Sequence, residues 1–216
     1  MPQEHTIAAL TRGRYLLEVP QGSGPFPLLV GFHGYAENAD RHLEALRALP
    51  GASGWILCAI QGLSRFYHPR TQEVIAGWMT RQDRELAIQD NVRYVGDVVA
   101  RLKRELPLAG TLVYAGFSQG VAMAYRAAAF SGHHCHGLLA LAGDVPPDLG
   151  EDDLTQLPPV LIGRGTEDTW YDTAKMTADL DRLATGGVQV ETCVFTGGHE
   201  WHAEFYQAAG EFLARR

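Results

Sequence analysis

The sequence holds only three cysteines, Cys58, Cys135 and Cys193, and no two stand close together. An odd, scattered set gives no disulfide framework. Cys58 and Cys193 lie in apolar strand-like runs, where a free thiol packs as a small hydrophobe. Lysine is scarce, the basic residues are nearly all arginine, and no basic run occurs, which removes the electrostatic case for nucleic acid. No apolar stretch reaches the length of a membrane span. The opening Met-Pro-Gln-Glu-His has neither the basic nor the apolar region of a signal peptide. Internal repeats, low-complexity segments and a convincing domain boundary are also missing. The expectation is a single domain over residues 1–216, in a reducing cytoplasmic compartment, with no nucleic-acid partner and no integral membrane association; a homodimer is left open.

What is present fits a folded chain. Hydrophobic residues make up 46% and charged residues 20%, a balance that supports a core without staples and is far from that of a disordered chain. The net charge of −7 reads as solubility rather than as a binding signal.

Short apolar runs alternate with helical patterns. Residues 14–19, 27–32, 55–60, 111–116, 137–142, 159–162 and 189–195 read as strands, several of them as uninterrupted apolar runs of the kind buried on both faces. Residues 40–49, 121–130, 171–184 and 203–215 read as helices. The clearest helix carries Ile88, Val92, Val95, Val99, Leu102 and Leu106 as one apolar stripe. Residues 61–80, rich in aromatic and polar side chains, read as a long irregular loop. Strands alternating with helices predict an α/β fold, a mostly parallel central sheet with helices on both faces. In such sheets ligands bind beyond the carboxyl ends of the strands. His33, Ser118, Asp144, Asp168 and His199 each follow a predicted strand, so the topology collects all five on one edge.

Gly116-Phe117-Ser118-Gln119-Gly120 matches Gly-x-Ser-x-Gly. The match alone is weak. Its setting strengthens it, because a strand precedes and a helix follows, the arrangement that exposes a nucleophile on a sharp turn. A serine needs a positioned base, and His199 after Gly197-Gly198 is the candidate; His202, at the start of the last helix, is expected to point elsewhere. The base needs an acid on its other nitrogen. Asp168 follows the penultimate strand and completes the order Ser, acid, His expected of α/β-hydrolases; Asp144 and Asp172 are weaker alternatives. Oxyanion donors are expected from the backbone N–H of Gln119, which heads a helix, and of Tyr35 in the turn after the first buried strand.

These residues resemble the phospholipase/carboxylesterase family of small α/β-hydrolases, the group that includes acyl-protein thioesterases. The similarity rests on Phe-His-Gly after the first buried strand, Gly-Phe-Ser-Gln-Gly at the elbow, Asp168 after a late strand and Gly-Gly-His near the end. It implies an α/β-hydrolase fold without a large cap domain, Ser118, Asp168 and His199 as triad, and Tyr35 and Gln119 as oxyanion donors. Trp78 looks like an aromatic that family members place beside the acyl pocket. The sequence departs from the thioesterases in its His-Gly-Tyr-Ala-Glu-Asn turn and in an acid loop reading Gly-Arg-Gly-Thr-Glu-Asp-Thr-Trp-Tyr. Both departures bring aromatics (Tyr35, Trp170, Tyr171) toward the site and predict a compact pocket. His33, Trp78 and Trp170 are therefore candidates for substrate contact, although His33 also reads as a structural residue bonding the backbone of its own turn.

The expected activity is hydrolysis of small or medium carboxylic esters, a small-molecule ester substrate, through an acyl-enzyme and without a cofactor. A thioesterase or lysophospholipase-type hydrolase is the alternative within the class; a non-catalytic binding protein on the same scaffold is the alternative outside it. No metal is expected: His133-His134-Cys135-His136 are too close in sequence to converge on one tetrahedral ion. His199 and His202 are three apart, where a zinc-protease helix needs four.

Overall fold

The computed structural model describes all 216 residues. Nine strands and six helices follow one another as β1 (Arg14–Glu18), β2 (Phe26–Phe32), α1 (Ala39–Arg47), β3 (Ile56–Gln61), β4 (Ser64–Tyr67), β5 (Val74–Gly77), α2 (Arg84–Glu105), β6 (Leu108–Phe117), α3 (Gln119–Phe130), β7 (Gly137–Leu141), α4 (Glu151–Leu154), β8 (Val160–Gly165), α5 (Thr173–Thr185), β9 (Val190–Phe195) and α6 (Ala203–Leu213). Seven strands form one sheet in the order β1-β3-β2-β6-β7-β8-β9. All pair in parallel except β1, which runs antiparallel to β3 at one edge.

Strand composition follows position in this sheet. β3, β7 and β8 are buried along their whole length, as apolar runs covered on both faces must be. The edge strands β1 and β9 are only partly covered and carry Glu18, Glu191 and Thr192 among their apolar residues. Alternate residues of each strand feed opposite cores. Leu28, Val30 and Phe32 join Val95, Val99, Tyr125 and Met176 beneath α2, α3 and α5. Leu29, from the same strand, joins Leu43, Leu46, Phe205 and Phe212 beneath α1 and α6. The helices thus cover both faces, as the alternation of the sequence predicts, and no large cap domain is present.

The segment read as an irregular loop contains a hairpin instead. β4 and β5 pair antiparallel from Ser64 opposite Gly77 to Tyr67 opposite Val74. The pair stands apart from the main sheet and bridges through Ala76 to Glu37 in the turn after β2. Its strands have four residues each and β4 is mostly exposed, so no hydrophobic alternation long enough to announce them exists. No helix is long and apolar enough to cross a membrane.

Candidate active site

The turn from β6 into α3 holds Ser118 at φ 53° and ψ −122°, a conformation that costs a non-glycine residue of order 1–3 kcal/mol and persists only where the surroundings enforce it. The enforcement is close backbone packing. A Cβ on Gly120 would lie 2.0 Å from the carbonyl oxygen of Phe32, and one on Gly116 would meet the backbone of Gly120 at 2.5 Å. The flanking glycines therefore let β2, β6 and α3 meet at one point. Ser118 N–H donates to Leu141 O at 2.9 Å, which fastens the elbow to β7.

Asp168 and His199 are brought together by a similar closeness between the loops after β8 and β9. Thr166 N–H donates to Phe195 O and Glu167 N–H to Gly197 O, each at 2.8 Å. A Cβ on Gly165 would sit 2.3 Å from the carbonyls of Gly197 and Gly198, so only glycine allows the two loops to lie flush. Asp168 is buried. Its Oδ1 accepts the N–H groups of Trp170 and Tyr171 at 2.8 and 2.9 Å. Its Oδ2 lies 2.8 Å from Nδ1 of His199. A carboxylate only accepts, so Nδ1 carries the hydrogen of this bond, and in the neutral imidazole the lone pair is then on Nε2. The His199 ring packs against Phe117, with centroids 5.0 Å apart.

Ser118 and His199 share the wall of a cavity of about 730 Å³, together with Tyr35, Gln119, Asp144 and Trp170. A groove of about 830 Å³ between α2 and the end of α3 contains neither Ser118 nor His199, so the candidate residues meet in the smaller space. The Tyr35 N–H makes no hydrogen bond within the protein. Gln119 is the first residue of α3, where N–H groups have no partner inside the helix.

The other expected residues separate. Asp144, the alternative acid, points to Lys175 Nζ at 3.5 Å, and Asp172 caps α5 by accepting from Lys175 N–H. His202 caps α6 and stacks on Phe195. Trp170 is 66% exposed at the cavity rim. Two of the proposed contact residues do not reach the cavity. His33 is fully buried; its Nδ1 bonds Gly34 O at 2.6 Å and its Nε2 accepts Gly62 N–H at 3.0 Å. Burial pushes its pKa down to about 4, so the ring is neutral. Trp78 is equally buried, donating Nε1–H to His33 O at 2.8 Å. Tyr171 is inside as well, with its hydroxyl on Asp179. An aromatic in a loop signals bulk but not direction, which is why these side chains could not be placed from the sequence.

Several residues that matter carried weak signals or none. The Gln119 side chain accepts Trp78 N–H at 2.8 Å and donates to Met79 O at 3.2 Å, tying the hairpin to the elbow. Glu37 accepts Gly34 N–H at 2.7 Å and closes the turn that presents Tyr35; burial raises its pKa. Arg126 lines the cavity from within α3. Its signal was available, since a single arginine interrupts a helix otherwise built mainly of small and apolar residues. His133 and His136 are occupied by backbone partners, Gly96 O and Leu112 N–H.

Comparison with known proteins bears on this geometry. The phospholipase/carboxylesterase family profile matches residues 75–216. Comparison with curated proteins finds no match. Among solved structures, esterase PE8 superposes with TM-score 0.71 at 20% identity, covering 94% of this chain and 97% of its own. Zea mays acyl-protein thioesterase 2 gives 0.71 at 18%, covering 94% and 99%, and the Bacillus cereus carboxylesterase 0.71 at 15%, covering 94% of each. At these identities the superpositions speak for the fold. With the family profile spanning most of the chain, from β5 to the C-terminus, the protein is a hydrolase that belongs to the phospholipase/carboxylesterase family of α/β-hydrolases.

Proposed function

We propose that residues 1–216 act as one catalytic domain that cleaves carboxylic esters of small or medium acyl chains by a Ser-His-Asp mechanism. The observation that carries this reading is the Asp168–His199 bond of 2.8 Å beside a cavity that also holds Ser118 on a strained elbow. Ser118 Oγ attacks the acyl carbonyl while His199 Nε2 takes its proton. Asp168 fixes the tautomer and stabilises the imidazolium that forms. Negative charge developing on the carbonyl oxygen is met by the N–H groups of Tyr35 and Gln119, held in place before the reaction begins. His199 returns the proton to the leaving alcohol, and water then releases the acyl group by the same steps in reverse roles. The pairs Glu37–Gly34 and Trp78–His33 keep the Tyr35 turn in shape.

The test is initial rates on p-nitrophenyl esters from acetate to decanoate, with Ser118→Ala beside the wild type. Loss of the nucleophile is expected to cost on the order of 10⁴- to 10⁶-fold in turnover, with wild type fastest on the shorter chains. Equal rates for the two proteins would remove Ser118 from the mechanism. A cavity as large as 730 Å³ also has room for the thioesterase reading; faster turnover of a matched thioester than of the oxygen ester would favour it.

A further inference from the structure

Three cations line the same cavity as Ser118 and His199. Arg81, Arg84 and Arg126 all line it, while Asp144 is the only carboxylate among the lining residues. Asp144 itself faces Lys175 at 3.5 Å. Two of these guanidiniums share one further carboxylate, Asp148: Arg126 engages it through Nε at 2.8 Å and Nη2 at 2.6 Å, and Arg84 approaches it only to 3.9 Å. This excess of positive charge stands inside a chain whose net charge is −7.

Two details bear on what these cations can do. The Arg126 side chain is fully buried, yet its Nη1 meets only the thioether of Met79 at 3.6 Å, a weak acceptor for a charged donor. A buried guanidinium N–H without an oxygen partner is costly unless a ligand supplies one. Arg84 is the first residue of α2, where the positive end of the helix dipole disfavours a cation. The preceding Asp83 sits in the left-handed region and provides no side-chain cap, so the N–H groups of that first turn are also unspent. Glu85 in the same turn offsets part of this cost, and a residual local conflict of this kind is what functional sites tend to carry.

We propose that the ester this enzyme takes carries a second, anionic group, a carboxylate or a phosphate, held by the Arg81, Arg84 and Arg126 wall while its carbonyl sits at Ser118. The inference rests on the esterase reading above and narrows its substrate class. Guanidinium forks bind carboxylate and phosphate in the same bidentate manner, and in a partly enclosed cavity the charges are screened less than on open surface. Met79, Ala122, Pro146 and Pro147, from the same cavity, leave room for a short methylene spacer between the two groups.

Steady-state kinetics on matched pairs test this: monoethyl succinate against ethyl valerate for the carboxylate, and 1-butyrylglycerol 3-phosphate against 1-butyrylglycerol for the phosphate, each with wild type, Ser118→Ala and the double variant R81Q/R84Q. Wild-type kcat/KM is expected to be about tenfold or more higher for at least one anionic member, and the pair that shows it names the group. In R81Q/R84Q the anionic member is expected to lose at least about tenfold more than its neutral partner. Arg81 is exposed and Arg84 partly so, and the two short Arg126–Asp148 bonds, at 2.8 and 2.6 Å, involve neither residue, while Arg84 comes no nearer to Asp148 than 3.9 Å. Equal or faster hydrolysis of both neutral members, sensitive to Ser118→Ala, would overturn the anionic assignment and leave the esterase reading standing. Failure to hydrolyse any of the four, or turnover unaffected by Ser118→Ala, would overturn both.

Discussion

His33 and His199 begin from the same situation. Each follows a parallel strand at the carboxyl edge of the sheet and adjoins glycine. Their surroundings then diverge. His33 is sealed in the core, with one nitrogen giving to Gly34 O and the other taking from Gly62 N–H, so neither is left for chemistry. His199 keeps a side chain about one-third exposed and has a single protein partner, Asp168, on Nδ1. One histidine is spent on holding a turn, and the other is oriented with a lone pair to spare. Residue type and position on the sheet edge do not distinguish a histidine proposed as a base from one that braces a turn; the number of ring nitrogens already bonded does.

Substitutions at the two histidines should separate these roles. The largest effect is expected from His199→Ala, which removes the proposed base and should lower kcat on the order of 10⁵- to 10⁶-fold while the melting temperature stays close to wild type. Asp168→Asn should follow, at about 10⁴-fold, because the amide presents a donor to Nδ1 and reverses the tautomer; stopped-assay rates on a short p-nitrophenyl ester measure both. A fall of less than about tenfold for His199→Ala would erase the distinction between the histidines. His33→Gln should instead act on stability, costing about 1–3 kcal/mol in urea unfolding because one of two buried bonds is lost or misaligned, with a much smaller effect on rate per folded molecule.

A finer contrast lies in pH. The folded-state pKa of His33 is lowered to about 4 from 6.5 by burial, so between these values the unfolded chain binds a proton that the folded chain does not. Its contribution to stability is therefore full above pH 6.5 and is lost as pH falls toward 4, at about 1.4 kcal/mol per pH unit. His42, buried against Trp201 with only a loose approach to the Ala115 backbone, acts in the same direction with a pKa lowered to about 3. Asp179 opposes them: burial raises its pKa to about 6, so its contribution is present below 3.8 and lost as pH rises through 6. Comparing His33→Gln with wild type isolates one group. The variant's stability should decline less steeply between pH 6.5 and 4, by about 1.4 kcal/mol per unit, and parallel curves would show that His33 is not neutral in the fold.

Much of this arrangement was legible before any coordinates. The central strands announce themselves because burial on both faces demands uninterrupted apolar runs, and Gly116, Gly120 and Gly165 announce the turns because backbone passes within Cβ distance of them. The order of Ser118, Asp168 and His199 then follows from topology. What escaped was decided by contacts distant in sequence. The β4–β5 hairpin is too short and too exposed to show a pattern. Trp78 and Tyr171 point inward because His33 O and Asp179 wait for their polar ends, partners 45 and 8 residues away. Arg126 lines a cavity whose other arginines come from the first residue of α2 and the loop just before it, a juxtaposition that the packing of α2 on α3 creates.

The most direct measurement is labelling with a fluorophosphonate probe, with the modified peptide identified by mass spectrometry, on wild type, Ser118→Ala and His199→Ala. The account predicts a single adduct on Ser118 in wild type, none in Ser118→Ala, and labelling slowed by orders of magnitude in His199→Ala. An adduct on another residue, or a wild-type protein that stays unlabelled while it hydrolyses esters, would contradict the assignment of Ser118 as the nucleophile.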